Sequence, residues 1–478
     1  MHSAVMTDIA FAWTALGGDP ALLSRVTTAE LPGTLAARLP VRRLARACVG
    51  ACALAAAELG ARRTGRAEVP GVRVDDGAVA AAFHSERLLR VNGRAPDSFA
   101  PLSRFWRTAD GWVRTHANYP HHRARLLDAL GLPADAAPAA VAALLAERTA
   151  LGTEELVHAA GGLAVALRTP HQWRATGQAG QVAARPLVER ATLGAAPVRA
   201  LPRLDPADAP LLPAAGVRVL DLTRVLAGPV ATRTLALLGA DVLRLDPPRL
   251  PELPDQHADT GFGKRSATLD LATRRDAFEE LLAGADVLVT GYRPGALDRF
   301  GLSPEALAER HPALVVAQVS AWGAYGPWGG RRGFDSLVQA ATGIAVTEGS
   351  AEEPGVLPAQ ALDHGTGYLL AAAVLRALTE RSYDGAGRSV RLALARTAHW
   401  LTDEEPYDAP KTGGPGAGAS AEADDAAAPQ VLPDARLAEA DGPLGRLRHA
   451  LSPVRFAGGP THWTRPPAPW GSDRAAWL

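Results

Sequence analysis

The sequence predicts an α/β protein whose main domain is built on a doubly wound parallel sheet. Short aliphatic and β-branched runs alternate with helical stretches of about a dozen residues between positions 216 and 405. Helices that separate strands in this way are the crossover connections of parallel sheets. At 478 residues the chain has room for two or three domains and a large core.

Four strands can be placed in order along this region. The run VRVLDL (217–222) is the first, and a helical stretch follows it to Leu238. The segment GADVLRLD (239–246) is the second, FEELLAGADVLVTGY gives a helix and a strand ending at Tyr292, and PEALAERHPALVVAQVSAW repeats this order. Ligands bind outside the carboxyl ends of such strands, so DLTRVLAGP, LDPPR, TGYRPGALDRFG and VSAWGAYGPWG are the expected site.

A dinucleotide cofactor is disfavoured by the first turn. Asp246 ends the second strand where a ribose-binding acid would stand, but the turn VLAGPVA contains only Gly228. The turn lacks the G-x-G-x-x-G spacing that lets a pyrophosphate approach the helix, and Pro229 does not replace a glycine. We therefore do not expect a dinucleotide-dependent oxidoreductase.

An acidic residue stands at the start of a long apolar helix. The segment PAQALDHGTGYLLAAAVLRALTER (358–381) contains Asp363 and His364 ahead of residues at helical spacing, with Arg376 and Arg381 near its end. Asp363 can be an N-cap that accepts hydrogen bonds from the first free amides. It can also be a carboxylate that the positive helix end keeps ionised and that attacks a substrate. The segment itself leaves both interpretations open.

Composition disfavours several functions. The 50 Lys and Arg are balanced by 50 Asp and Glu, so nothing favours nucleic acid or an anionic membrane as a partner. Cys48 and Cys52 are four residues apart, which indicates two core residues and neither a disulfide framework nor a metal site. No basic segment leads into a long apolar run and no stretch of 18 apolar residues occurs, so we expect a soluble cytoplasmic protein.

Several motifs follow one another in the second half. They are VRVLDLTRVLAGPVATRTLALLGADVLRLD, GKRSATLDL, GYRPGALDRFGL and AWGAYGPWGGRRGFDSLVQAATGIA. With them the chain resembles the family III CoA-transferases (CaiB/BaiF), which include formyl-CoA transferase, a carnitine CoA-transferase and the α-methylacyl-CoA racemases. The similarity covers about 216–400 and 450–478, where the last segment resembles the family's C-terminal strap.

The resemblance implies that Asp363, in ALDHGTG, is a nucleophile. A carboxylate is a poor nucleophile, but a thioester is an activated acyl group. Attack gives a mixed aspartyl anhydride and releases the CoA thiolate, which re-attacks to give an aspartyl-CoA thioester before an incoming acid takes the CoA. The implied partners are an acyl-CoA and a carboxylic acid acceptor, so CoA is a substrate and not a resident cofactor.

The resemblance also implies contacts to CoA. The expected residues are Leu226, Ala227, Leu269, Asp270, Leu271, Ala272, Gly291, Tyr292, Arg293, Arg299 and Arg332. Arg299 matches an arginine that meets a CoA phosphate, and Arg332 stands where the transferase has a lysine, so two cations suit the phosphates. Pro247 replaces an arginine, for which Arg249 is a near substitute. The glycine run 413–419 is expected to be a linker and not the loop that covers the acyl site.

Two alternative functions stay open. A racemase of this family needs a His-Asp pair ahead of the catalytic acid, and the corresponding residues here are Phe334 and Asp335. His364 does not replace that imidazole, because neighbouring helical residues point about 100° apart. We expect it to be exposed or packed, and a transferase is favoured. The other alternative is a catalytically silent CoA-binding protein, since segments of the family are missing.

The first half contains traces of a second copy. Residues 51–83 parallel residues 368–400, in an alignment that puts Ala47 opposite Asp363. Chance similarity between Ala-rich helices is the alternative explanation. We favour a tandem duplication whose first copy has lost its sheet and nucleophile.

Segments 107–133 and 168–189 resemble the family's small domain, which adds a smaller α+β domain to the predicted fold. The predicted division is a helical remnant of a first large domain (1–85), the small domain (86–195), a Pro-rich linker (196–215), the CoA-binding catalytic large domain (216–405), a flexible linker (406–435) and a C-terminal strap (436–478). Family members are interlocked dimers, so we expect a homodimer or a single-chain pseudo-dimer. His116, His121 and His122 are expected at the surface or lining a cleft.

Overall fold

The computed structural model describes residues 2–97, 99–195, 201–403 and 436–478. The strands, numbered in chain order, are β1 Val26–Ala29, β2 Val72–Asp75, β3 Arg90–Val91, β4 Phe105–Arg107, β5 Trp112–Thr115, β6 Ala164–Ala166, β7 Glu189–Ala195, β8 Arg218–Leu222, β9 Asp241–Asp246, β10 Arg265–Thr268, β11 Val287–Thr290, β12 Val315–Ser320, β13 Ala386–Ala393, β14 Leu437–Gly442 and β15 Gly445–Ala450. The predicted linker 406–435 with its glycine run 413–419, and residues 196–200 of the other linker, lie outside the described residues.

The α-helices are numbered in the same way. They are α1 His2–Ala15, α2 Val41–Thr64, α3 Asp76–Phe83, α4 Ser85–Leu88, α5 Pro120–Leu130, α6 Pro138–Ala146, α7 Ala150–Ala159, α8 Pro170–Arg174, α9 Gly177–Ala183, α10 Ala227–Leu237, α11 Pro254–Thr260, α12 Arg275–Ala283, α13 Pro304–Arg310, α14 Asp335–Thr342, α15 Ile344–Glu348, α16 Ala361–Asp384 and α17 Leu394–Asp403. Short 3-10 helices lie at Pro20–Arg25 and Asp298–Phe300.

A seven-stranded sheet confirms the predicted fold class. Its order is β10-β9-β8-β11-β12-β13-β7, with β8 to β13 parallel and β7 antiparallel to β13. Counted from β8, the parallel strands have the order 3-2-1-4-5-6 of doubly wound nucleotide-binding sheets. Alternate residues enter different cores on the two faces, as Val219 and Val287 do on one face and Leu220 and Leu288 on the other.

Two long helices pack against each other beside this sheet. α2 and α16 have 24 residues each, and both end at a glycine in the left-handed conformation, Gly65 (φ 73°) and Gly385 (φ 71°). Cys48 and Cys52 are buried and free on α2, as core residues should be. α2 is long and apolar enough to cross a membrane, but 94% of its apolar window is buried inside the protein, so we identify it as a core helix.

The small domain is built on the antiparallel sheet β4-β5-β6. α5, α6 and α7 cover it, and their core includes Trp106, Val113 and Leu126. β7, which ends the predicted small domain 86–195, lies in the large sheet instead, because its backbone pairs with β13.

The first half contains one more parallel strand pair. β1 pairs with β2, and α2 is the crossover between them. α3 follows β2 directly, as α17 follows β13. The order β1–α2–β2–α3 therefore repeats the order β12–α16–β13–α17, apart from α14 and α15, which precede α16 in the large domain.

The described part of the predicted linker 196–215 is packed against α2. The buried Arg63 guanidinium of α2 donates hydrogen bonds to the carbonyl oxygens of Pro202 at 2.7 Å, Pro213 at 2.9 Å and Ala215 at 2.7 Å. Leu211 is 2% exposed. A buried guanidinium needs such acceptors, so residues 201–215 are held against the core helix.

The C-terminal segment lies over both halves. β14 and β15 form a hairpin that pairs with β3. The strap, by which we mean residues 451–478 after this hairpin, forms one β-bridge between Phe456 and Val72 and another between Ser472 and Ala267. Three strap indoles donate hydrogen bonds of 2.9 Å to the large domain, Trp463 to Arg233 O, Trp470 to Asp246 Oδ2 and Trp477 to Leu281 O.

Candidate active site

Asp363 lies in the first turn of α16 and is not its N-cap. The helix begins at Ala361, and the N-cap is Gln360, whose side chain makes no capping hydrogen bond. Asp363 is 7% exposed. Within the described residues its carboxylate accepts no hydrogen bond, and neither of its oxygens is fully buried. The N-cap interpretation is therefore wrong, and the carboxylate is not tied to its own helix.

Asp335 closes the N-terminus of α16. Its Oδ2 accepts the backbone amides of Leu362 at 2.9 Å and Asp363 at 3.0 Å, and its Oδ1 accepts a hydrogen bond from Nε2 of Gln339. Burial raises the pKa of Asp335 to about 6, although these hydrogen bonds favour its charged form. An acid at the start of α14 thus supplies the cap that Asp363 does not.

A third acid, Glu86, reaches this turn from α4 of the first half. Its Oε2 lies 3.0 Å from Nε2 of His364. Burial alone would raise its pKa, but the charge and the hydrogen bond of His364 lower it to about 2. Burial raises the pKa of Asp363 well above its usual range, and the negative charges of Asp335 and Glu86 raise it further. Asp363 is therefore harder to ionise than an ordinary aspartate.

His364 is packed, one of the two positions expected for it. It is 0% exposed, and its ring stacks on Phe83 with 5.1 Å between centroids. Phe83 also stacks on Tyr368, about one turn along α16. Since Phe83 and Glu86 belong to the first half, that half covers the turn that carries Asp363.

A close helix contact brings the first turn of α10 to α16. A Cβ on Gly367 would lie 2.6 Å from Ala227 O and 2.9 Å from Val230 Cβ, so the approach requires glycine. Gly367 is about one turn after Asp363. Leu226 is the N-cap of α10 and Ala227 its first residue, so the two predicted CoA contacts lie beside the helix that carries Asp363.

The same turn rests on a buried polar network. Asp221, in β8, accepts hydrogen bonds from the amide of Thr223 at 2.9 Å, from the hydroxyl groups of Thr223 and Thr232 at 2.5 and 2.6 Å, and from Nζ of Lys264 at 3.0 Å. Lys264 also donates to Pro229 O at 3.0 Å. Burial lowers the pKa of Lys264 to about 8, although Asp221 favours the charged form. The network joins the strand end, the turn and the start of α10.

The other predicted CoA contacts follow neighbouring strands. Residues 269–272 follow β10 and residues 291–293 follow β11, at the edge of the sheet that carries Leu226. Leu269 is buried, Asp270, Leu271 and Tyr292 are half-buried, and Ala272, Gly291 and Arg293 are exposed. Burial and the charge of Asp246 raise the pKa of Tyr292 to about 12. Asp246 itself is bound by Trp470 of the strap, so a ribose would have to compete for it.

The predicted phosphate-binding arginines have different surroundings. The exposed Arg299 guanidinium lies 4.7 Å from the centroid of the Phe300 ring. Arg332 is half-buried, and burial together with the charges of Arg125 and Arg293 lowers its pKa. The charge of Arg293 thus acts on Arg332, while no ion pair or hydrogen bond among the described residues joins Arg299 to either of them.

Two histidines of the predicted cluster pack on Phe334. The ring of His116 is parallel to that of Phe334 with 3.8 Å between centroids, and the ring of His122 meets it edge-on at 5.7 Å. Both are buried rather than at the surface, and burial lowers the pKa of His116 to about 3 and that of His122 to about 2. His121 is half-buried.

The sequence interpretation missed the acids around Asp363. Asp335 entered it only as part of the racemase comparison, and its capping role depends on a contact between two helices. Glu86 could not be predicted from the sequence. It lies in a helix of only four residues, and its partner His364 is 278 residues further along the chain.

Comparison with known proteins supports the resemblance. The family model of CoA-transferase family III matches residues 214–433. The chain is 35% identical over 208 residues to the probable fatty acyl-CoA transferase Rv3272 of Mycobacterium tuberculosis, covering 40% of this chain and 52% of that protein. It is 36% identical over 193 residues to the formyl-CoA:oxalate CoA-transferase of Streptomyces coelicolor, covering 37% and 47%. The chain thus spans about half the length of these relatives.

Solved structures give the same coverage. A crystal structure of Rv3272 is 35% identical, with a TM-score of 0.38, over 41% of this chain and 57% of that one. A CAIB/BAIF family protein from Brucella suis is 28% identical, with a TM-score of 0.36, over 41% and 59%. Residues 214–433, somewhat less than half of the chain, are thus similar to CoA-transferase family III.

Proposed function

We propose that the protein transfers CoA between carboxylic acids, with Asp363 as the covalent nucleophile. The observation that carries this proposal is the position of its carboxylate. It lies in the first turn of α16, unbonded by the described residues and about one turn before Gly367, where α16 contacts the start of α10. The relatives named above are acyl-CoA and formyl-CoA:oxalate transferases, which supports the same reaction class.

The proposed reaction is a series of acyl transfers through Asp363 that requires no external oxidant or metal ion. An oxygen of Asp363 bonds to the thioester carbonyl carbon and the carbon–sulfur bond breaks, which gives a mixed anhydride and the CoA thiolate. The thiolate then attacks the Asp363 carbonyl carbon and releases the donor acid. The acceptor carboxylate attacks the resulting aspartyl thioester, and the returning thiolate takes the acceptor acyl group and frees Asp363.

The environment of Asp363 suits a nucleophile more than a structural acid. Its raised pKa means a smaller ionised fraction at rest, but an unbonded carboxylate of high basicity attacks more readily once it is ionised. The amides of Leu362 and Asp363 are already bonded to Asp335, so they do not stabilise the Asp363 carboxylate. Glu86 and Asp335 therefore act as positioning residues in this proposal.

CoA would lie along the carboxyl edge of the sheet. The residues that would contact it are those implied by the resemblance, at the turns after β8, β10 and β11 and at Arg299 and Arg332. A racemase is less well supported, since Phe334 stands at the imidazole position and the buried rings of His116 and His122 pack on it. The acyl donor and acceptor would be carboxylic acids that fit at this carboxyl edge of the sheet.

We also propose that the chain is a single-chain pseudo-dimer that arose by tandem duplication. The order β1–α2–β2–α3 supports this, as do the equal lengths of α2 and α16 and their packing. Alignment of the two helices at their ends places Arg43 opposite Asp363, one turn before Ala47. Neither side chain is a nucleophile, so the proposal gives one active site per chain.

Trapping of the covalent intermediate tests the function. The protein is incubated with acyl-CoA donors and then with hydroxylamine or borohydride, and the modified residue is identified by peptide mass spectrometry. We expect modification at Asp363, and a loss of at least about a thousandfold in transfer rate for Asp363→Asn. The exposed Asp135→Asn variant is the matched control. Full transfer by Asp363→Asn would contradict the proposal.

A further inference from the structure

An unusual group of cations lies where the small domain meets the large one. Nη1 of Arg125, in α5, and Nη1 of Arg332 both donate to the same acceptor, the carbonyl oxygen of Gly161, at 3.1 and 3.5 Å. Neither arginine has an acidic partner among the described residues. Two guanidinium groups at one carbonyl repel each other unless an anion joins them.

The surroundings of this pair are positive. The charges of Arg125 and Arg293 act on Arg332, and those of Arg125 and Arg332 act on His121, which lies on α5 as well. The nearby acid Glu154 is already bound, by Arg168 at 2.8 and 3.1 Å and by Arg331 at 3.0 Å. Glu154 therefore does not neutralise the Arg125–Arg332 pair.

The helix that carries Arg125 is anchored to the large domain at its start. Tyr119, the N-cap of α5, donates its hydroxyl hydrogen bond to Glu252, and the Arg224 guanidinium lies 5.0 Å from the Tyr119 ring centroid. Glu252 also accepts hydrogen bonds from Arg244 at 2.8 Å and from the amide of Val225 at 3.1 Å. Val225 immediately precedes the predicted CoA contact Leu226. The start of α5 is thus fixed beside the turn at which CoA is expected.

We propose that Arg125, together with Arg332 and Arg293, binds a phosphate group of CoA, so that the first half supplies part of the CoA site within one chain. This inference rests on the proposed function. Guanidinium groups form paired hydrogen bonds with phosphate oxygens, and the anion would relieve the repulsion between Arg125 and Arg332. Arg125 lies outside the residues that the family resemblance implies.

Calorimetric titration of Arg125→Gln with CoA, dephospho-CoA and pantetheine tests the inference. The control is Arg123→Gln on the same helix, whose Nη2 donates to the carbonyl oxygens of Ala134 at 3.0 Å and Ala136 at 3.4 Å. We expect Arg125→Gln to bind CoA about 10- to 100-fold more weakly, with pantetheine binding unchanged and a shallower salt dependence. A smaller loss with dephospho-CoA would assign the contact to the 3′-phosphate, and an equal loss to the pyrophosphate.

Unchanged CoA affinity in a folded Arg125→Gln protein would overturn the inference. If that variant unfolds early, Arg125→Lys replaces it. Lysine keeps the charge but not the paired hydrogen bonds, so we expect a loss of about three- to tenfold for CoA alone. Equal affinities of Arg125→Lys and wild type for CoA would overturn the inference in that case. Failure of the proposed function is a separate result, since it appears as normal transfer by Asp363→Asn.

Discussion

Oδ2 of Asp335 accepts the backbone amide of Asp363 at 3.0 Å, so one acid caps the helix from which another acid projects. Removal of this cap should destabilise the protein. We expect Asp335→Ala to lower the free energy of unfolding by about 1–3 kcal/mol, because it leaves the buried amides of Leu362 and Asp363 without an acceptor. Urea denaturation measures the loss, with the exposed Asp135→Ala as control. Equal midpoints for the two variants would contradict the capping role.

Glu86 should set the pH dependence of the reaction. Its negative charge raises the pKa of Asp363, together with burial and Asp335, so Glu86→Gln should lower that pKa. The ionised fraction of Asp363, the proposed nucleophile, then rises at acidic pH, and the acid limb of the kcat/KM profile should move to lower pH. The control is Glu305→Gln, whose side chain is 80% exposed. A kcat/KM that is lower at every pH, with an acid limb at the same pH as in the wild type, would indicate a purely structural role for Glu86.

Asp363 should reduce stability as the pH rises. Its folded-state pKa is raised above the unfolded value, so between these two values the folded protein binds more protons than the unfolded chain does. Stability must therefore fall as the pH increases through this window, and asparagine, which does not ionise, avoids the loss. We expect the Tm advantage of Asp363→Asn over wild type to grow from pH 4 to pH 8. Calorimetry at several pH values measures it, and a constant difference would contradict the raised pKa.

Lys264 should stabilise the turn between β8 and α10. Lys264→Met leaves Asp221 as a buried charge without its cationic partner, and such changes cost about 3–5 kcal/mol of unfolding free energy. The matched control is the double variant Asp221→Asn/Lys264→Met, which removes both charges and should recover part of the loss. A double variant less stable than either single one would show that the ion pair is not the stabilising element.

The large domain could be predicted from sequence because its pattern is local. β8, β9, β11 and β12 are short aliphatic runs that alternate with helices, and this alternation is enough to predict a parallel sheet, whereas β10, with the sequence RSAT, shows no such pattern. β7 could not be placed in the same way, because antiparallel pairing with β13 joins residues almost 200 positions apart. The packing of residues 201–215 could not be predicted, because the prolines of the predicted linker 196–215 give no sign of the Arg63 guanidinium on α2 that binds this segment.

The candidate site shows the same division. The strand ends and Asp363 could be identified from motifs within one stretch of chain. Glu86 and Arg125 could not, because they approach the site only through the packing of the first half on the second. The two histidines on Phe334 were noted as a cluster, but their partner ring lies in another domain.

The strap after β15 fastens the two halves at Val72 and at Ala267. A hinge opening between these halves would have to separate the strap from one of them and break its indole hydrogen bonds to the large domain. Under the proposed function we therefore expect substrate to enter and product to leave by local side-chain or loop movement, with the two halves remaining joined by the strap.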